Sequence, residues 1–79
     1  MAIADPNRRH ILEDLRRGAK TVNDLASRLP ISRPAVSQHL KALLDAGLVE
    51  VTAEGTRRFY SVRRPGFDRM NLWLDQFWS

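Results

Sequence analysis

The sequence contains no cysteine. Disulfides, thiolate metal sites and thiol redox sensing are thereby excluded. No apolar run approaches the ~20 residues needed to span a bilayer, so no membrane partner is expected. Asp5, Pro6 and Arg8 interrupt the stretch where a signal peptide would carry its apolar core, and a cytoplasmic location is expected. Internal repeats, low-complexity segments and long linkers are also missing. The two histidines, His10 and His39, fall on different predicted helices with no clear companion ligand, so no metal site is expected. No nucleophile–base pair and no phosphate-cradling glycine loop stands out, which speaks against an enzyme and against a cofactor. Acidic residues are in the minority: 9 Asp and Glu against 13 Lys and Arg leave a net charge of +4.

Of those 13 basic residues 11 are arginine, whose planar fork suits phosphates and guanine edges. The 79 residues suffice for one domain, taken as 1–79. A core of that size supplies only a few kcal/mol of net stability, and oligomerisation is a common remedy.

Along the chain, Asp5-Pro6 is a helix-start signal, an acidic N-cap followed by Pro at the first helical position. Ile11, Leu12 and Leu15 then share one face of an amphipathic helix, with Arg9, Glu13 and Arg16 roughly opposite and Gly18 as the stop. Thr21 caps a short second helix, with Asp24 in the place of a capping-box acid; its buried stripe is Val22, Leu25, Ala26 and Leu29, and Pro30 stops it. Ser32 caps a third helix, about 33–46, with Pro34 tolerated in the first turn and Gly47 ending it. The period then changes. Leu48 to Thr52 reads as a strand, Glu54-Gly55-Thr56 as a tight turn, and Arg57 to Val62 as the return strand with Tyr60 and Val62 on one face. Pro65-Gly66 breaks the hairpin, and a last helix runs from about Phe67 to Trp78. The fold expected is mainly α with a small β-hairpin: a winged helix-turn-helix, its wing about 48–63.

In the third helix Val36, Leu40, Leu43 and Leu44 share the core face. The face away from it carries small, hydrogen-bonding and cationic side chains, as a helix entering a major groove requires. Gln38 can bond an adenine edge bidentately, Ser37 a base or a phosphate, and Lys41 a guanine or a phosphate. Arg33, with Ser32 at the N-terminal end of the same helix, is placed to contact DNA, at a guanine or a phosphate. His39 lies beside the core stripe and is expected to pack at the helix–helix border. On the wing, Thr56, Arg57 and Arg58 are placed to hold phosphates, and charged tips also keep exposed strands from pairing with other chains. Arg63 and Arg64 fit either DNA contact or the flank of the final helix.

The last helix, about 66–78, gathers Phe67, Met70, Trp73, Leu74, Phe77 and Trp78 within an arc of roughly 140°. Part of that stripe packs on the domain's own core. The remainder exceeds what a lone domain of this size covers and is assigned to dimerisation; a hydrophobic effector fits the same surface.

These segments together resemble the ArsR/SmtB-type repressors. Ala2 to Leu12 is similar to their opening helix and Thr21 to Ala26 to the lead-in of their helix-turn-helix. Ser32 to Lys41, with Leu43, Ala46-Gly47-Leu48-Val49 and the Gly55 to Tyr60 wing, is similar to the central signature. The resemblance implies a homodimer built from the first and last helices on a palindromic operator, with two recognition helices about 34 Å apart in successive major grooves. It also implies repression relieved by a signal. The best-known members sense with paired cysteines near the helix-turn-helix, or with His and carboxylates on the last helix. Here cysteine is missing and the last helix has Asp68 and Asp75 but no histidine, so the chain resembles the metal-independent branch, any inducer, such as a small-molecule effector, being unidentified. The chain also looks short at both ends, as a trimmed protein would. The expected function is double-stranded DNA binding and transcriptional repression. The alternative is a winged-helix protein-interaction module working through the aromatic helix.

Overall fold

A computed structural model of the chain describes residues 5–65. Among the described residues three helices are seen whole, and each opens on a side-chain cap. Asp5 accepts a hydrogen bond from the Asn7 backbone N–H at 2.8 Å and starts α1 (Pro6–Arg16), where Pro6 occupies a position that has no use for an N–H. Thr21 and Asp24 form a reciprocal capping box at the start of α2 (Val22–Arg28). The Asp24 N–H donates to Thr21 Oγ1 and the Thr21 N–H to Asp24 Oδ2, each at 3.1 Å. Ser32 Oγ accepts from the Ala35 N–H at 3.3 Å and opens α3 (Arg33–Asp45).

The end of α3 explains why the first strand starts one residue later than its sequence suggests. Gly47 takes φ +74°, a conformation that costs a side-chain-bearing residue about 1–2 kcal/mol. It allows the Gly47 N–H to reach the Leu44 carbonyl and the Leu48 N–H to reach the Leu43 carbonyl, both at 3.0 Å. These two bonds make a Schellman stop, with Leu43 and Leu48 as its buried apolar pair. Leu48 is thus spent on the helix end, and β1 is Val49–Glu54. It pairs antiparallel with β2 (Arg57–Val62), from Val49 opposite Val62 to Glu54 opposite Arg57. The turn is confined to Gly55 and Thr56, with Gly55 at φ +62°. Of β1 only Val49 is buried, so the tip of the hairpin projects from the body.

Among the described residues nine are buried and form a core: Ile11, Leu12 and Leu15 from α1, Leu25 from α2, Val36, Leu40 and Leu43 from α3, then Leu48 and Val49. Val22, Ala26 and Leu29 of the expected α2 stripe, together with Leu44, Tyr60 and Val62, pack around it half-buried. One contact has no counterpart in the sequence pattern. Lys20, between α1 and α2, pairs with Tyr60 through two backbone hydrogen bonds of 2.8 and 3.0 Å. It adds a one-residue strand to the free edge of β2 and ties the wing to the start of α2. The Arg28–Asp14 ion pair, 3.2 Å, fastens α2 to α1.

Arg64 and Pro65, the last described residues, are helical. The assignment of 66–78 as a dimerisation helix, with Phe67, Met70, Trp73, Leu74, Phe77 and Trp78, lies outside the described residues.

Candidate nucleic-acid interface

The core packing of α3 decides which of its side chains are available. Val36, Leu40 and Leu43 are at most 1% exposed and turn one face of the helix inward. Ser37, Gln38 and Lys41 are exposed on the remaining surface. At the N-terminal end Ser32 is exposed, but its oxygen is engaged in the cap, which leaves its hydroxyl proton as the group free to donate. Arg33 is exposed, and its Nη1 donates to Asn23 Oδ1 at 2.9 Å, so the first residue of α3 is braced against α2.

On the wing, Thr56, Arg57 and Arg58 are all exposed. The Arg57 guanidinium lies over the Phe59 ring, 5.1 Å from its centroid, an arrangement that orients the cation without neutralising it. Thr56, Arg57, Arg58 and Tyr60 face residues 21–24 across an open groove of about 330 Å³. The wing cations and the start of α2 are therefore brought together, while Ser37, Gln38 and Lys41 line no part of that groove. Among the described residues the ion pair is Arg28 with Asp14; none of Arg33, Lys41, Arg57 or Arg58 shares a carboxylate. Their charge is available to an external anion.

This surface, on a helix–helix–helix–hairpin frame, can be compared with known proteins. Residues 5–51 match the model of a family described as bacterial regulatory protein, arsR family. The chain belongs to the ArsR family. It is 49% identical over 78 residues to the HTH-type transcriptional regulator Rv2034 of Mycobacterium tuberculosis, covering 99% of this chain and 73% of that protein. The transcriptional repressor SdpR of Bacillus subtilis is 34% identical over 76 residues, 96% of this chain and 84% of that one. A crystal structure described as a possible transcriptional regulator for arsenical resistance superposes with a TM-score of 0.93 at 40% identity, covering 99% of this chain and 81% of its own. The solution structure of a homodimeric winged helix-turn-helix DNA-binding domain from Mycobacterium bovis gives a TM-score of 0.79 at 30% identity, over 96% and 70% of the two chains. This ArsR-family protein is a transcriptional regulator of winged helix-turn-helix fold, not an enzyme.

Two further groups acquire definite places in the regulator. His39 is half-buried where α1 meets α3, and its Nδ1 accepts from Arg8 Nε at 3.3 Å, the border position expected for it. Arg63 lies at the opposite end of α3 from Arg33. Its N–H donates to the Leu48 carbonyl at 2.9 Å, and its guanidinium lies beside Gly47, 3.5 Å from where a Cβ would stand. α3 has no basic residue in its own last turn, so Arg63, just after β2, brings a cation to that negative helix end.

The carboxyls of Asp5 and Asp24 are held below the ordinary aspartate value. For Asp5 the main cause is the hydrogen bond from the Asn7 N–H, with smaller help from the Arg8 backbone N–H and the Arg8 charge. For Asp24 it is the Thr21 backbone N–H, then the Thr21 side chain, then the fields of Arg57 and Lys20. Asp24 therefore stays ionised beside the wing cations.

Sequence reasoning missed Asn23 and Lys20. Lys20 makes backbone bonds, which leave no trace in side-chain pattern. Asn23 had one visible signal: an amide on the exposed side of the first helix of a helix-turn-helix, where the second helix begins nearby.

Proposed function

We propose that this regulator represses transcription as a homodimer, each copy of the domain 1–79 placing α3 in the major groove of one half of a palindromic operator. The observation that carries the reading is the division of α3: Val36, Leu40 and Leu43 are buried, and Ser37, Gln38 and Lys41 are left exposed. Ser37 and Gln38 bond base edges, Lys41 a guanine or a phosphate, and Ser32 and Arg33 the DNA at the start of the helix. Thr56, Arg57 and Arg58 hold backbone phosphates beside the groove. The dimer forms through Phe67, Met70, Trp73, Leu74, Phe77 and Trp78. The Bacillus subtilis relative, named a repressor, and the homodimeric Mycobacterium bovis domain support this assembly and its sense. The protein works in the cytoplasm, without a metal, and a small molecule relieves repression.

Selection from random duplexes by the purified protein, at two salt concentrations, tests the reading. A two-fold symmetric consensus with half-site centres one helical turn apart is expected. Enrichment of no duplex would contradict it and leave the protein-interaction alternative.

A further inference from the structure

We infer that Asn23 is a positioning residue for DNA recognition: it holds the Arg33 guanidinium in place while leaving its charge available. The inference rests on the proposed placement of Arg33 on DNA. Arg33 is the first residue of α3 and is exposed. An exposed arginine samples many rotamers, and fixing it on a ligand sacrifices that freedom. Here Nη1 already donates to Asn23 Oδ1 at 2.9 Å, from the neighbouring helix of the helix-turn-helix. The bond engages one of the five guanidinium N–H donors, so a two-pronged edge is still free for a guanine or a phosphate.

The chemistry of the brace matters as much as its geometry. A carboxylate at this place would hold the guanidinium too, but would cancel its charge and compete with DNA. The acceptor present is a neutral amide, and Arg33 has no ion pair among the described residues. Asn23 also lines the groove shared with Arg57 and Arg58, so the residue that braces Arg33 also borders the wing. Orientation of Arg33 is thereby linked to the frame on which the wing cations are mounted.

A double-mutant cycle on the 79-residue protein, binding the duplex obtained by selection, tests the inference. Asn23→Ala is expected to weaken binding roughly two- to tenfold, the cost of immobilising one rotamer-rich side chain on the DNA without its brace. In the Arg33→Ala background the same change is expected to do nothing further. Asn23→Asp keeps an acceptor but pairs the charge, and is expected to lower the slope of log affinity against log salt by about one per protomer. Thermal midpoints of all variants should match the parent, since both residues are exposed. Equal weakening by Asn23→Ala with and without Arg33 would overturn the inference and leave Arg33 on the DNA. No effect of Arg33→Ala by itself would overturn both.

Discussion

Arg57 and Arg58 offer the cleanest quantitative handle on the wing. Both are exposed, neither is within ion-pair distance of a carboxylate among the described residues, and both border the groove facing the start of α2. If each neutralises one phosphate, each adds about 0.9 to the slope of log affinity against log salt. The pair then accounts for about 1.8 per protomer and about 3.6 per dimer. Raising salt from roughly 50 to 200 mM is a fourfold change, so the two arginines alone carry about a hundredfold of the salt sensitivity. The double variant Arg57→Gln, Arg58→Gln removes both charges at little cost to the fold. It gives up the stacking of Arg57 on Phe59, worth about 0.5–1 kcal/mol at an exposed site. Fluorescence anisotropy on the selected duplex and on an unrelated duplex, over a series of salt concentrations, measures the slopes. Phosphate contacts carry no base information, so affinity for both duplexes should fall together. An unchanged slope would refute the placement of the wing on phosphates. A loss confined to the selected duplex would show these arginines reading bases instead.

Three further outcomes follow from the packing. Leu40, 1% exposed, anchors α3 to the core, and Leu40→Ala should cost about 2–5 kcal/mol, most of what so small a domain has; thermal denaturation by circular dichroism checks it. Gly47→Ala should cost about 1–2 kcal/mol from its positive φ alone, because the new Cβ would meet Arg63 Nη1 at an ordinary 3.5 Å; a much larger loss in urea titration would mean that Arg63 cannot give way at Gly47. Asp5 and Asp24 have folded-state pKa values below their unfolded ones, so their stabilisation is present above the ordinary aspartate value and is lost as pH falls through the depressed value. Melting temperature should therefore drop on acidification below about pH 4, and less steeply in Asp24→Ala.

The helices were legible because their signals are local and redundant. A cap, a first-turn proline and an apolar stripe coincide at Asp5-Pro6 and again at Ser32 to Pro34. The capping box at Thr21 and Asp24 was legible for the same reason. The strand boundary at Val49 was not, since Leu48 suits a strand and a helix-stop equally and only the two bonds to Leu44 and Leu43 decide between them. Extension of β1 to Glu54 was hidden too. Ala53 and Glu54 show no strand pattern of their own and are paired by Arg58 and Arg57 across the turn. On the site, exposure of Ser37, Gln38 and Lys41 follows from counting around a helix. The Arg33–Asn23 bond and the Lys20–Tyr60 bridge join residues distant in sequence, and both need the folded chain to be seen.

Base reading by the exposed face of α3 is the centre of the proposed function. Its most direct test is competition between the selected duplex and a scrambled one for the parent protein and for Ser37→Ala with Gln38→Ala. Neither residue is buried, so the fold is retained. Discrimination should fall by about 1–3 kcal/mol for each base contact removed, while affinity for the scrambled duplex stays nearly constant. Undiminished discrimination in the double variant would contradict base reading by this face.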